Sequence, residues 1–353
     1  MIVYWILLFI PSYFALFHTK AKWKPLVVIY IFLSLTLIIG LRHEVGGDWV
    51  SYLRYLEAKS VYFDDPSKAF SFKDPFYVIL NWLSVRLGLG IYGVNISCAA
   101  IFTIGMLWLC KKSPRPWLAL TIAIPYLVLV VSMGYTRQSV GIGILCIAYH
   151  QLSKNKVLSF IICTLFAAAF QTTSVIVLPL ALPYLTSKKS ALAWVVRFGI
   201  FALAAIGLFR LVLLSSVERF IDVYFTSGVS SQGALVRITL CIIPSLIFLI
   251  FGKRVVIDKA ENTIWRWISI FSLLCGLGYF ILPSSTVVDR MALYALPIQI
   301  YVASRIPDFK IFKLRPQVLN ASVVLFAILV QWVWLFYAAN ASKWLPYQNL
   351  LFL

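Results

Sequence analysis

Pro25 to Trp49 reads PLVVIYIFLSLTLIIGLRHEVGGDW. No charge falls between Lys24 and Arg42; then Arg42, His43, Glu44, a glycine pair and Asp48 arrive together. Wound as a helix at about 1.5 Å per residue, the apolar part approaches the roughly 30 Å hydrocarbon core of a bilayer. The polar part that follows needs water or protein around it. A membrane span ending in a chemically dense mouth is the expected structure.

The rest of the chain repeats the first half of that pattern. Of 353 residues, 62% are hydrophobic and 12% charged, with a mean hydropathy of +0.92; soluble domains carry about 25% charged residues. Apolar runs occupy 2–17, 25–41, 91–110, 117–134, 138–152, 157–170, 172–185, 191–214, 234–251, 264–282, 289–305 and 317–338. The fold class expected is all-α: a polytopic membrane protein of about 10–12 transmembrane helices plus an amphipathic outer-face helix, with 1–353 forming a single integral membrane domain. The short runs 157–170 and 172–185, broken at Phe170-Gln171-Thr172-Thr173-Ser174, are either two short spans or a re-entrant pair. Segment 75–88 is apolar, but charge parity keeps it on the outer face as an interfacial or re-entrant helix. The first run lacks a basic leader and a small-residue cleavage site, so it is expected to be an anchor.

A net charge of +19 invites a nucleic-acid reading, which the placement of the charges excludes. Connections 18–24, 111–116, 153–156, 186–197, 252–266 and 305–316 hold 19 of the 31 Lys and Arg and three of the 12 acids, net +16. The opposite side holds 12 basic and nine acidic residues, net +3. This asymmetry is the positive-inside rule and puts the basic set in the cytoplasm. The six Cys lie in or at the ends of apolar runs, without metal-like spacing, and read as packing residues. The three His stand far apart, and no phosphate-loop, dinucleotide or zinc motif is present.

The outer loop expected over 42–90, with amphipathic and interfacial helices, carries the densest chemistry; a second outer loop is expected over 215–233. Gly46 and Gly47 permit a tight turn. Asp48 reads as the N-cap of a helix to about Lys59, on which Asp48, Tyr52 and Tyr55 share one face and Trp49, Leu53 and Leu56 another. Such a helix also suits a segment lying in the headgroup layer. Tyr135-Thr136-Arg137-Gln138 sits between the fourth and fifth runs, beside Gly141-Ile142-Gly143, where a second backbone can approach. Asp289-Arg290 opens the run to Arg305 and makes either an internal ion pair or part of a site. Arg42, Arg137 and Arg290 project from outer span ends, and Arg210, Arg219 and Arg237 flank 215–233. Arg137 alone also suits snorkelling to headgroups. Together, guanidinium forks suit the oxygens of a lipid pyrophosphate.

At this point Arg42-His43-Glu44-Val45-Gly46-Gly47-Asp48-Trp49…Tyr52 resembles the R-x-E-x-G-x-D-(W/Y)-x-x-Y signature of EpsG-type (Wzy-like) polysaccharide polymerases. Asp74-Pro75-Phe76-Tyr77 resembles their acidic-Pro-aromatic step, Arg137-Gln138 their R-Q element and Asp289-Arg290 their late arginine. Trp344-Leu345-Pro346-Tyr347 is similar to their closing W-x-P-Y. Phe170-Gln171 departs from a Phe-His often found there; Gln171 bonds sugar or phosphate but takes no proton.

The resemblance implies a multispan glycosyltransferase using a lipid-linked donor. It would join polyprenyl-pyrophosphate-linked oligosaccharide repeat units into exopolysaccharide, capsule or O-antigen on the outer face of a bacterial cytoplasmic membrane. A carboxylate can deprotonate the acceptor hydroxyl as general base, with Asp48, then Glu44, as the catalytic candidates because Asp48 can project from a helix start; Arg42, Tyr52, Arg137, Gln138, Gln171, Asp289 and Arg290 are the substrate-binding candidates. No cofactor and no metal are expected. The partners implied are the lipid-linked oligosaccharide, membrane lipids, a chain-length regulator and a flippase, and no nucleic acid. A flippase or transporter of the same lipid, a glycan ligase and a sugar acyltransferase are the competing readings.

Overall fold

The computed structural model describes residues 1–18, 20–60, 69–70, 72–185, 194–195, 197–199, 202–203, 206, 233–282, 284–309 and 314–353. The loop expected over 215–233 lies outside the described residues except for Gly233, as do Arg210 and Arg219 and most of the run 191–214. Among the described residues the chain is helical, apart from one antiparallel pair of two-residue strands, β1 (Arg42–His43) and β2 (Gln348–Asn349). Four helices among the described residues are long and apolar enough to cross a membrane: Gly90–Lys112, Ala234–Arg254, Lys259–Ile281 and Pro316–Tyr337. Shorter apolar helices cover 2–17, 25–40, 116–132, 157–170 and 172–185. Phe9, Tyr13, Leu26, Tyr30, Leu277 and Phe280 leave apolar side chains exposed, a surface that lipid tolerates and water does not. This is an all-α, multi-pass membrane protein.

The chain divides into two compact units. The first comprises Met1–Ile144, Ala169–Gln171 and Ala303–Leu353. It contains α1 (Ile2–Phe17), α2 (Pro25–Gly40), α3 (Trp49–Ser60), α4 (Pro75–Arg86), α5 (Gly90–Lys112), α6 (Pro116–Ala123), the first half of α7 (Thr136–Ser153) and, last in the chain, α14 (Pro316–Tyr337). Contacts between α5 and its neighbours are made backbone to backbone. A Cβ on Gly40 of α2 would meet Ile96 Cα at 2.6 Å, and one on Gly143 of α7 would meet Phe102 Cα at 2.6 Å. Small residues thus let these helices close without a hydrophobic driving force between them. On the basic side, Arg115 forks onto Asp308 at 2.6 and 2.8 Å and donates to Ser304 O.

Beyond α6 the helix continues as a nine-residue π stretch, Ile124–Ser132, with Pro125 in its first turn. Such stretches are uncommon and gather at functional sites; this one delivers Thr136 and Arg137. The C-terminal segment docks against it. Trp344 Nε1 donates to Leu129 O at 2.8 Å, and the Trp344 ring lies so close to Gly134 that a Cβ there would stand 2.9 Å from it.

The second unit comprises Leu145–Ala168 and Thr172–Val302. It holds the end of α7, most of α8 (Val157–Phe170), a 3-10 stretch Thr172–Ala181 leading into α9 (Leu182–Leu185), α10 (Ala234–Phe251), α11 (Lys259–Ile281), α12 (Ser285–Ala292) and α13 (Pro297–Ala303). The run expected over 264–282 begins earlier, at Lys259, because Asp258 caps the helix by accepting from the Ala260 and Glu261 amides. The run expected over 289–305 is two helices, interrupted at Leu293–Ala295 just before Pro297, which has no amide to donate. Trp265 stacks on Tyr301 at 3.9 Å, and Tyr149 donates to Tyr294 O at 2.9 Å. Thr173 at one end of 172–185 bonds the Tyr294 hydroxyl, and Tyr184 at the other donates to Ala260 O. Tyr294 and Ala260 belong to opposite ends of the unit by the charge pattern, which favours the short-span reading of 172–185 over a re-entrant one.

Candidate functional site

The mouth of α2 is built by long-range pairing. β1 lies against β2 with Arg42 opposite Asn349 and His43 opposite Gln348. Gly46 N donates to Lys343 O at 2.9 Å, and Tyr347 Oη to Ile38 O at 2.8 Å. The closing Trp-Leu-Pro-Tyr therefore forms the floor on which the Arg42–Trp49 segment turns. Of the two glycines, Gly46 carries the turn: its φ is +113°, and a Cβ would collide with Met133 O. A Cβ on Gly47 would make only ordinary contacts, with the Trp344 ring at 3.8 Å and Lys343 Cδ at 3.9 Å. The helix starts at Trp49, one residue after Asp48, whose carbonyl accepts from Tyr52 N at 3.0 Å. Its buried stripe is Trp49, Tyr52 and Leu56, so it draws on both of the faces expected from the sequence.

Arg42 departs from expectation. It is 1% exposed, and neutral acceptors take its donors: Val45 O at 3.2 Å, Ile39 O at 2.6 Å, Asn95 Oδ1 at 3.4 Å and Thr136 Oγ1 at 2.8 Å. Burial lowers its pKa to about 10, which still leaves it charged at neutral pH. This guanidinium staples the β1 turn to the start of α7 and reaches no surface from which to grip a phosphate.

Arg137, by contrast, keeps part of its side chain exposed. Its Nη1 donates to Asp74 Oδ2 at 2.9 Å, and Asp74 is wholly buried while about a third (32%) of the Arg137 side chain stays exposed. Tyr52, Tyr55 and Tyr77 surround the guanidinium, with ring centroids 5.9, 5.5 and 5.5 Å from Cζ, at cation–π distance. Burial pushes the Tyr55 phenol up to about 12 and raises those of Tyr52 and Tyr77, so all three stay neutral. Arg137 Nε, Tyr77 Oη and Asn95 Nδ2 are buried without hydrogen-bond partners. Asp74 pairs with Arg137, while the four acceptors of the buried Arg42 are all neutral. The cage therefore has surplus positive charge and spare donors, which suit an anionic oxygen ligand.

The other expected residues divide by unit. Glu44, in a left-handed conformation at φ +50°, leaves 69% of its side chain exposed. Asp48 is half-buried, close enough to raise the Tyr52 pKa further, and Gln138 is buried. Gln171 is half-buried in the first unit, next to Phe170, whose ring meets Phe76 at 5.7 Å. Asp289 and Arg290 belong to the second unit. Arg237 forks onto Asp289 at 2.8 and 2.6 Å, and Arg290 is exposed.

Asp74, Tyr55 and Tyr77 were not among the site residues expected from sequence, nor was Arg237 as the partner of Asp289. The Asp74-Pro75-Phe76-Tyr77 step was the available signal for Asp74 and Tyr77, and the helix face shared with Asp48 and Tyr52 was the signal for Tyr55. Asp74 sits at φ +60° ahead of Pro75, a constraint that turns its carboxylate out of the helix it precedes.

The EpsG family model matches residues 26–349, from the first turn of α2 to the end of β2. No curated protein and no solved structure matches the chain. Since that match spans nearly the whole of the 353-residue chain, the chain belongs to the EpsG family.

Proposed function

We propose that the protein joins polyprenyl-pyrophosphate-linked oligosaccharide repeat units by glycosyl transfer on the outer face of the bacterial cytoplasmic membrane. Family membership supports a polysaccharide-polymerase type of function in general. The observation that carries the finer reading is the Arg137 cage: a part-exposed guanidinium, already oriented by Asp74, beside unpartnered donors and an uncompensated second arginine. A pyrophosphate leaving group gains charge as its bond to the sugar breaks, and preorganised donors stabilise that charge. In this scheme Arg137 meets the phosphates, and Tyr52, Gln138 and Gln171 line the approach. The exposed Glu44 and the half-buried Asp48 give the acceptor side its negative charge. Arg137 supplies the countercharge, so no divalent ion is required.

Purified protein in liposomes, given lipid-linked repeat units in EDTA, is expected to produce a ladder of extended chains. Transfer of the lipid across the bilayer without any chain extension would replace this reading with a flippase. A ladder that forms only when a divalent ion is restored would overturn the metal-free mechanism.

A further inference from the structure

We propose that His43 takes the proton from the acceptor sugar's hydroxyl, with Glu44 stabilising the imidazolium that results. The inference rests on the polymerase reading above and supplies the proton acceptor that reading lacks.

The carboxylates around the buried charges are committed. Asp74 holds Arg137, Asp289 holds Arg237, Asp308 holds Arg115, Asp258 caps α11, and Glu261 accepts from Tyr301. Gln171 has no basic lone pair near neutral pH. Of the three imidazoles, His18 and His150 lie at span ends on the basic side, and His43 alone stands at the opposite mouth.

Three elements fix the His43 ring. Nδ1 lies 2.5 Å from Tyr92 Oη on α5. The ring stacks on Tyr92 at 6.2 Å and 21°, and meets Trp49 of α3 edge-on at 5.9 Å. Successive strand residues point to opposite faces; Arg42 goes inward to Thr136, and His43 comes out with 30% of its side chain exposed. With Nδ1–H donating to Tyr92 Oη, Nε2 keeps its lone pair. That nitrogen stands 4.0 Å from Glu44 Oε1, too long for a neutral hydrogen bond but suited to an imidazolium–carboxylate pair. Glu44 is held there in a left-handed conformation, the kind of strain that persists where the surroundings over-determine it. The remaining polar neighbours are Gln348 across the strand pair, Arg42 on the opposite strand face, Asp48 at the start of α3 and Lys343, whose carbonyl binds Gly46 N.

In the step itself, the acceptor O–H proton passes to Nε2 as the hydroxyl oxygen bonds to the donor's anomeric carbon. The bond from that carbon to the pyrophosphate oxygen breaks, and its electron pair leaves with the lipid pyrophosphate. The imidazolium then returns its proton to solvent.

The experiment is the initial rate of chain extension across a pH series, for full-length protein in liposomes with lipid-linked repeat units. Wild type, His43→Gln, Tyr92→Phe and Glu44→Gln are compared, with membrane abundance recorded for each. Wild type is expected to lose rate on the acid side. His43→Gln should lose about 10²–10⁴-fold, the usual worth of a general base, and lose that acid limb. Tyr92→Phe and Glu44→Gln should keep a limb but at a displaced pH. A His43→Gln enzyme with wild-type rate and limb overturns the proposal and leaves the polymerase reading standing. If His43→Gln fails to accumulate, an unmoved limb in both other variants overturns it instead. A wild type that extends no chains overturns both.

Discussion

Arg137 Nη1 lies 2.9 Å from Asp74 Oδ2, joining the start of α7 to the residue just before α4. One partner is wholly buried and the other a third exposed, so the pair is both an internal support and an accessible part of the tyrosine cage. The two roles can be separated. Arg137→Lys keeps the charge that Asp74 needs but loses the planar fork and the ring contacts. Chain extension is expected to fall about a hundredfold, the equivalent of about 3 kcal/mol, at normal membrane abundance. Arg137→Met strands a buried carboxylate and should lower abundance as well. Adding Asp74→Asn to it should restore abundance without activity. Polymer ladders and quantitative blots on the three variants check both halves, and wild-type ladders from Arg137→Lys would remove Arg137 from the site.

Arg42 is expected to behave in the opposite way. Its donors reach two carbonyls and two side chains inside the protein. A lysine cannot span those acceptors from one nitrogen, and buried hydrogen bonds from a charged group are worth about 1.5–3 kcal/mol each. Arg42→Lys should lower thermal stability and abundance, with activity per folded molecule largely kept. Detergent-solubilised unfolding curves alongside specific activity test this; a stable but inactive Arg42→Lys protein would return Arg42 to the substrate.

The two glycines of the turn should differ sharply. Gly46→Ala forces an L-residue to φ +113° and drives its Cβ into Met133 O, so the mouth cannot close and abundance should collapse. Gly47→Ala makes only ordinary contact with the Trp344 ring and should accumulate normally. Equal tolerance of both would mean that the turn is formed differently.

The Arg115–Asp308 pair gives a pH signature. Hydrogen bonds from Arg115 hold the Asp308 carboxyl below its ordinary value of 3.8. A carboxylate lowered in the folded state contributes stability above the unfolded pKa and loses it as pH falls through the folded one. Asp308 is 38% exposed, so solvent screening limits the effect to about 1 kcal/mol. Asp308→Asn should melt slightly lower than wild type at neutral pH, with the gap closing below about 3.8. A gap that persists unchanged in acid would assign it to packing.

The charge asymmetry sets the orientation to be tested by labelling. In a variant lacking the six cysteines, single cysteines at the exposed positions Ala58 and Ser342 should react in intact cells. Cysteines at Lys154 and Lys259, also exposed, should react only after permeabilisation. External labelling of Lys154→Cys would invert the protein and put the Arg137 cage on the cytoplasmic side.

The class of protein was determined by the sequence alone, because spanning is a local property. A run such as Pro25–Leu41 is apolar for bilayer length whatever it packs against, and lysines and arginines sort by side one connection at a time. The ordered motifs from Arg42 to Tyr347 pointed to the family for a similar reason, since residue type and order are all that a signature needs. The difference between Arg42 and Arg137 was not legible. Both are arginines at span ends, yet the first is sealed by Ile39, Val45, Asn95 and Thr136, and the second opens onto a cage. Which fate each met depended on helices packing across long sequence separations. Asp74 meets Arg137 across 63 residues, and Asp289 meets Arg237 52 residues back. No helical period encodes such meetings. They follow from close backbone contacts such as that of Gly143 with Phe102, and from a C-terminus that folds back beneath the Arg42 turn. Tertiary structure alone decided them, because a buried charge is settled by whichever partner the packed elements bring within hydrogen-bond reach.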